Sequence, residues 1–286
     1  MPTLMLDHPA WFHTVDGRAH RLISDNDQAI AFVTTECLPQ TLFLHCDPVG
    51  PCPVPINVGY FDPDALTGPI TLTAPLHALG AVSRLANPYL WDALGTAILG
   101  QFVTPTHLGR LYDRLCRAYG RRVHAPHGDD RWLFPRPDVI ISLGRDDITD
   151  VLTRVKLPAL QHAASAYLGH GKQWTRSLTE GTPAAELVEV IATALPQLDH
   201  ATISRAVADH TNDFTVYPID TTLRSSVCRL STRHSWPVGD DDFHTEWQAM
   251  TGEQQSTWTV LTLAVGTGRC MTAPRLLEAN DEDSED

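Results

Sequence analysis

The residues whose types and spacing could do chemistry lie in one stretch, residues 195–224, which reads LPQLDHATISRAVADHTNDFTVYPIDTTLR. The pattern predicts a helix end, a tight turn through Gln197, Leu198 and Asp199, a helix over 201–209, a short extended run, and Asp220 at the start of a further helix. A carboxylate before Thr221 and Thr222 is an ordinary N-cap. A helix N-terminus also helps to keep such a group ionised near neutral pH. It can then stabilise a developing positive charge and orient a water for attack. The two roles of Asp220 are compatible. Arg224 follows one helical turn later.

Other elements must hold that stretch in place. The first 75 residues carry short β-prone runs at 11–15, 20–24, 29–34 and 41–45, punctuated by Asp16-Gly17 and Asp25-Asn26-Asp27. They predict a small antiparallel sheet and then a proline-rich connector. From residue 76 the period becomes helical. Asn87-Pro88 opens a helix whose apolar face carries Leu90, Trp91, Leu94, Ala97, Ile98 and Phe102, which places Phe102 in the core. Thr104-Pro105 opens the next helix, and Gly120 stops it. Short helices are expected over 138–143, 147–155, 159–168, 183–195, 247–250 and 256–265. The resulting fold class is α+β: a β subdomain over 1–75, a mainly helical domain over 76–276, and an acidic, disordered tail over 277–286.

These blocks resemble the helix-hairpin-helix DNA glycosylases, in particular their alkylated-base (3-methyladenine type II) branch. The family pattern L-P-G-φ-G-x-x-T-A is met at Leu195, Pro196, Leu198 and Thr202, and the family's catalytic aspartate falls on Asp220. NPYLWDALGTAILGQFVTPTHLGRLYDRLCRAYG, FPRPDVIISL and STWTVLTLAVG match further family blocks in order. The resemblance implies an enzyme that rotates a damaged base out of a duplex and hydrolyses its N-glycosidic bond. Asp220 would be catalytic. Trp258, Gln101 and Tyr217 would form the base pocket, where stacking suits an electron-poor alkylated ring. Gln197, Leu198, Asp199, Thr202 and Arg224 would contact DNA. Strand-cutting relatives carry a nucleophilic lysine where this chain has Ala201, so a monofunctional enzyme of base excision repair is expected. Only Cys270 stands near the site of the relatives' four-cysteine cluster, so no iron-sulfur cluster is expected. A monovalent cation at the hairpin is the only cofactor allowed.

The sequence departs from the family at the hairpin. Gln197 and Asp199 replace both glycines, which normally supply positive φ and close approach to a phosphate. Asp199 tolerates left-handed angles, but its charge opposes a phosphate, and His200 offsets this only when protonated. The alternative reading is therefore a weak or inactive relative that binds damaged DNA or a protein partner. The net charge of -13 points the same way, although six acids sit in the last nine residues. A local basic face is needed to meet phosphates. Arg110, Arg114, Arg117, Arg121 and Arg122 are candidates, and a solvated helix face is the competing account.

The remaining features exclude more than they assign. No apolar run is long enough to span a bilayer, and the N-terminus lacks the basic start and apolar block of a secretion signal. A cytoplasmic monomer acting on double-stranded DNA is expected. The six cysteines form no C-x-x-C pair, and Cys37, His45, Cys46 and Cys52 fit no usual zinc spacing, so no metal site is assigned. Walker, zincin and G-x-S-x-G motifs are missing.

Overall fold

The computed structural model describes residues 3–25, 29–38, 41–125, 130–231 and 233–272. The expected turn residues 26 and 27 and the tail 277–286 lie outside them. Ten strands and ten α-helices are described: β1 (Thr3–Met5), β2 (Phe12–His13), β3 (Ala19–Ser24), β4 (Ile30–Leu38), β5 (Thr41–Pro48), β6 (Val58–Phe61), α1 (Ile70–Leu79), β7 (Val82–Leu85), α2 (Leu90–Gly100), α3 (Pro105–Tyr119), β8 (Arg122–His124), β9 (Asp130–Trp132), α4 (Pro137–Ser142), α5 (Val151–Thr179), α6 (Ala184–Ala194), α7 (His200–Thr211), α8 (Thr221–Leu230), α9 (Asp240–Thr251), α10 (Gln255–Thr267) and β10 (Cys270–Thr272). The class is α+β, with small sheets beside a helical body.

The strands β2-β3-β4-β5 form an antiparallel meander. A second sheet runs β10-β1-β7-β6. Here β1 pairs parallel to β7 and antiparallel to β10. This sheet takes strands from both sides of residue 75 and from the end of the described chain, so it ties the β region to the helices. Periodicity does not reveal such short strands, because three residues carry no pattern.

The helices divide into two cores. One is built around α2, with Trp91, Leu94, Ile98, Leu157, Leu160, Ile191 and Ile203. The other is built around α10, with Phe214, Leu223, Val227, Phe243, Trp247, Trp258 and Leu261. Helix α7 belongs to both: Val207 packs into the first and Ala208 into the second. The seam along α7 is where a cleft can form.

Two expectations change. The helices anticipated over 147–155 and 159–168 are parts of one helix, α5, which runs through Pro158. The ring deletes one backbone bond, but Leu157, Leu160, Ala163 and Ala164 on either side stay buried against α2 and keep the helix continuous through it. Phe102 is not core. It is fully exposed, at 102%, in the turn after α2.

Candidate active site

The seam between the cores positions Asp220. After α7 the chain passes a 3-10 turn at Phe214–Val216, then Pro218, which cannot continue a helix, and Asp220 caps α8. Its Oδ1 accepts hydrogen bonds from the amides of Thr222 at 2.9 Å and Leu223 at 2.8 Å. Its Oδ2 pairs with Nη2 of Arg205. One oxygen thus serves the helix and the other turns toward α7. Helix α8 can seat this closely because Gly266 lies opposite: a Cβ there would stand 2.2 Å from the Ser226 side chain.

A cavity of about 170 Å³ lies along the seam, lined among others by Met5, His8, Ala97, Arg205, Tyr217 and Leu263. Arg205 and Thr222, both partners of Asp220, are among the lining residues, and Asp220 itself is not. Arg205 is 29% exposed at its side chain. Burial works against its charge, but Tyr217 and Asp220 outweigh this and raise its pKa. Burial, and then the Asp220 charge, push the Tyr217 phenol up. Tyr217 therefore enters the site as a neutral hydrogen-bonding group.

The cavity lining also includes Asp7, His8, Arg84 and Asp209, members of a buried ion cluster. Arg84, 2% exposed, donates to Asp7 Oδ2 through Nε at 2.9 Å, pairs with Asp209, and donates to Asn212 Oδ1 at 2.7 Å. Burial opposes the Asp209 charge, yet Arg84, His8 and Arg21 hold its carboxyl below the usual range. Asp92 moves the other way. Burial dominates there and pushes its pKa up to about 6, against the pull of Arg21. Burial, then Arg21, lowers His8 well below its ordinary value, so His8 is neutral. Arg21 acts through its field: its guanidinium is buried and makes no direct hydrogen bond among the described residues. No sequence motif announced this cluster.

The hairpin keeps its course by other means than glycine. Neither Gln197 nor Asp199 has positive φ among the described residues, and Asp199 is extended at φ -67 and ψ 147. Asp199 caps α7, accepting from Thr202 N at 2.6 Å, while its Oδ2 accepts from Gln101 Nε2 at 2.7 Å. The same Gln101 nitrogen donates to Thr202 Oγ1 at 2.8 Å. Burial is outweighed here by Thr202, Gln101 and Arg205, and Asp199 is held below the usual carboxylate range. Gln101, Asp199 and Thr202 therefore meet in a brace between α2 and α7, and Gln101, expected in the base pocket, is not among the cavity-lining residues. Leu198 is buried beneath them and Gln197 is exposed. The Leu195 carbonyl already accepts from Leu198 N at 3.0 Å. A monovalent cation at this turn would have to share both that carbonyl and the Asp199 carboxylate.

Three other residues sit differently from the sequence reading. Trp258 is 0% exposed and packs edge-on to Trp247 in the second core, so it offers no face to a base. Arg224, expected to contact DNA, is engaged within the chain: its guanidinium pairs with Asp240, donates to the Pro237 and Val238 carbonyls, and lies 4.9 Å over the Phe243 ring. Arg205, which the sequence reading missed, takes the place beside Asp220. Phe102 has φ 57, rare for a bulky residue. Lys156, also missed, braces that turn from below by donating to the carbonyls of Ile98 at 3.1 Å and Gln101 at 2.6 Å. Of the candidate basic face, Arg114 pairs with Asp150, Arg117 with Asp113 and Arg122 with Asp130.

Among the described residues no helix is long and apolar enough to cross a membrane, and no three His, Cys, Asp or Glu side chains are grouped to hold a metal. No protein-family profile matches the chain, and no curated protein sequence does. Solved structures do. The 8-oxoguanine glycosylase/lyase of Clostridium acetobutylicum in its apo form aligns with a TM-score of 0.67 at 10% identity, over 91% of this chain and 90% of that one. MBOgg1 in complex with a low-affinity DNA ligand gives 0.63 at 15%, with the same coverage. The 3-methyladenine DNA glycosylase of Archaeoglobus fulgidus gives 0.62 at 14%, over 91% and 90%. The chain has the fold of the helix-hairpin-helix DNA glycosylases, and these neighbours fall on both sides of the divide between oxidised-base and alkylated-base enzymes.

Proposed function

We propose that this chain is a monofunctional DNA glycosylase of base excision repair, which hydrolyses the N-glycosidic bond of a damaged base in double-stranded DNA. One observation carries the reading. Within this fold, Asp220 keeps one oxygen for its helix and pairs the other with Arg205, which lines the cavity. As the bond from the sugar to the base lengthens, positive charge builds on the sugar, and a carboxylate beside it stabilises that charge. Water then bonds to the sugar carbon and passes its proton to Asp220. The base leaves with the bonding electron pair.

Phe102 supports the same reading. An exposed aromatic held at positive φ costs on the order of 1–3 kcal/mol and persists only where the surroundings enforce it. An apolar side chain of this kind can wedge between base steps and fill the gap left by an extruded nucleotide. Lys156 supplies the enforcement. A strand-cutting mechanism has no support, because the chain's lysines, Lys156 and Lys172, are not among the cavity-lining residues and Ala201 has no nucleophile.

Alkylated purines, the class implied by the resemblance, are the reference substrates. A duplex carrying 3-methyladenine or 7-methylguanine, with 8-oxoguanine, hypoxanthine and uracil duplexes beside it, is incubated and heated in alkali to break abasic sites. Wild type is expected to give breaks on at least one duplex, and Asp220→Asn none. A second reading, a protein that binds damaged DNA without chemistry, is favoured by the ion pair that neutralises Asp220 in the free chain. It prevails if both proteins bind damaged duplex and neither releases a base.

A further inference from the structure

Resting on that glycosylase reading, we infer that Arg205 sets the substrate class: the cavity takes a neutral keto or lactam base, of the kind made by oxidation or deamination, in preference to a cationic alkylated purine. Arg205 lines the cavity and touches Asp220. A guanidinium stays protonated at any working pH. An alkylated purine enters with a positive charge and leaves neutral, so a fixed cation beside it opposes binding and gives no help to departure. A neutral base is the reverse case. It takes the electron pair of the broken bond and departs as an anion, which a guanidinium stabilises through charge-assisted hydrogen bonds. The water adds to the sugar carbon, its proton leaves through Asp220, and the base anion regains a proton from solvent. Asp220 and Arg205 would then straddle the breaking bond, the carboxylate on the sugar side and the guanidinium on the base side.

The rest of the cavity agrees. A cationic ring is best held on open aromatic faces. Trp258 presents none. Phe214 lines the cavity, but the Arg84 guanidinium already sits 4.8 Å over its ring, and Tyr217 stacks on it at 5.4 Å. Asp7, which would attract a cation, is paired with Arg84 at 2.7 Å. Arg269 adds another guanidinium to the lining, donating to the Asp7 carbonyl at 3.3 Å and the Pro105 carbonyl at 3.1 Å.

The test compares release rates, each divided by the spontaneous rate of the same base. The probes are duplexes with 8-oxoguanine, hypoxanthine or uracil and duplexes with 3-methyladenine or 7-methylguanine. The expected result is a larger acceleration for at least one neutral base than for either cationic one. Arg205→Gln should then cut neutral-base release about 100-fold and leave or raise release of the cationic bases. Its residual activity on neutral bases should rise at acid pH, where the base can protonate before it leaves. If Arg205→Gln unfolds, Arg205→Lys keeps the charge and should keep the preference. Greater acceleration of cationic bases by wild type overturns the inference and leaves the glycosylase reading standing. Equal loss on both classes in a folded variant also overturns it. Release of no base, with Asp220→Asn indistinguishable from wild type, removes the glycosylase reading and the inference together.

Discussion

Two guanidinium–carboxylate groups flank one cavity and differ mainly in how much water reaches them. Arg205 lines the cavity and holds Asp220; the guanidinium is partly exposed and the carboxylate has one committed oxygen. Arg84 is buried, satisfied on three sides by Asp7, Asp209 and Asn212. Water around the partly exposed Arg205 eases separation of the first pair, so a nucleotide can replace one partner. Burial of Arg84 makes separation of the second costly, because its guanidinium would be left in a medium of low polarity. The same chemistry is a working pair in one place and a structural bolt in the other.

Substitutions can break that contrast or sharpen it. The largest effect on activity is expected at Asp220. Asp220→Asn should lower base release about 1,000-fold, on the order of 4 kcal/mol of transition-state stabilisation, while its Tm stays within a few degrees of wild type. Arg84→Met should do the opposite. It strands two carboxylates and should cost about 3–5 kcal/mol in urea unfolding, which lowers activity only through the unfolded fraction. A large Tm loss from the first change, or none from the second, would erase the distinction between the two pairs.

The pH response sharpens it further. Folding raises the Asp92 pKa to about 6, so the folded state binds this proton more tightly than the unfolded chain does. Its contribution is fully present below the unfolded value, near 4, and is lost as pH rises through 6. Asp209 has the opposite sign: its lowered pKa stabilises at neutral pH, and that contribution is lost on acidification. Between pH 4 and 7, wild type should therefore lose up to about 3 kcal/mol relative to Asp92→Asn in urea titrations. Parallel profiles would show that Asp92 titrates normally. The smallest effect is expected at the wedge. Phe102→Gly relieves positive φ and should raise stability by about 1 kcal/mol. It should also weaken base release about tenfold, because the gap in the duplex is left unfilled. Gains in both properties would remove Phe102 from the DNA interface.

Much of this molecule is legible in local sequence. Caps and spacing place α3, α6, α7, α8 and α10 within a few residues, and Asp220 declares itself as a cap through the two threonines that follow it. The apolar runs at 20–24, 29–34 and 41–45 become β3, β4 and β5. The all-round apolar character of residues 258–264 also signals a buried helix, a cue that argues against Trp258 as a pocket wall. Other features carry no local signal. Three-residue strands such as β1 and β10 have no period to read. Nothing near Pro158 shows that α5 passes through it, because packing against α2 decides that.

What the sequence alone determined, then, is the set of elements and the acid that starts α8, since caps, turns and periodicity depend on neighbours along the chain. Tertiary structure chose the partner of that acid. Arg224 is four residues away and is claimed by Pro237, Val238 and Asp240; Arg205 lies on α7 and reaches Asp220 across the 3-10 turn that separates α7 from α8. Long, flexible guanidinium side chains go where charge and burial favour them, and both are properties of the assembled fold. The exposure of Phe102 and the burial of Trp258 were settled in the same way, by which surfaces the two cores close over.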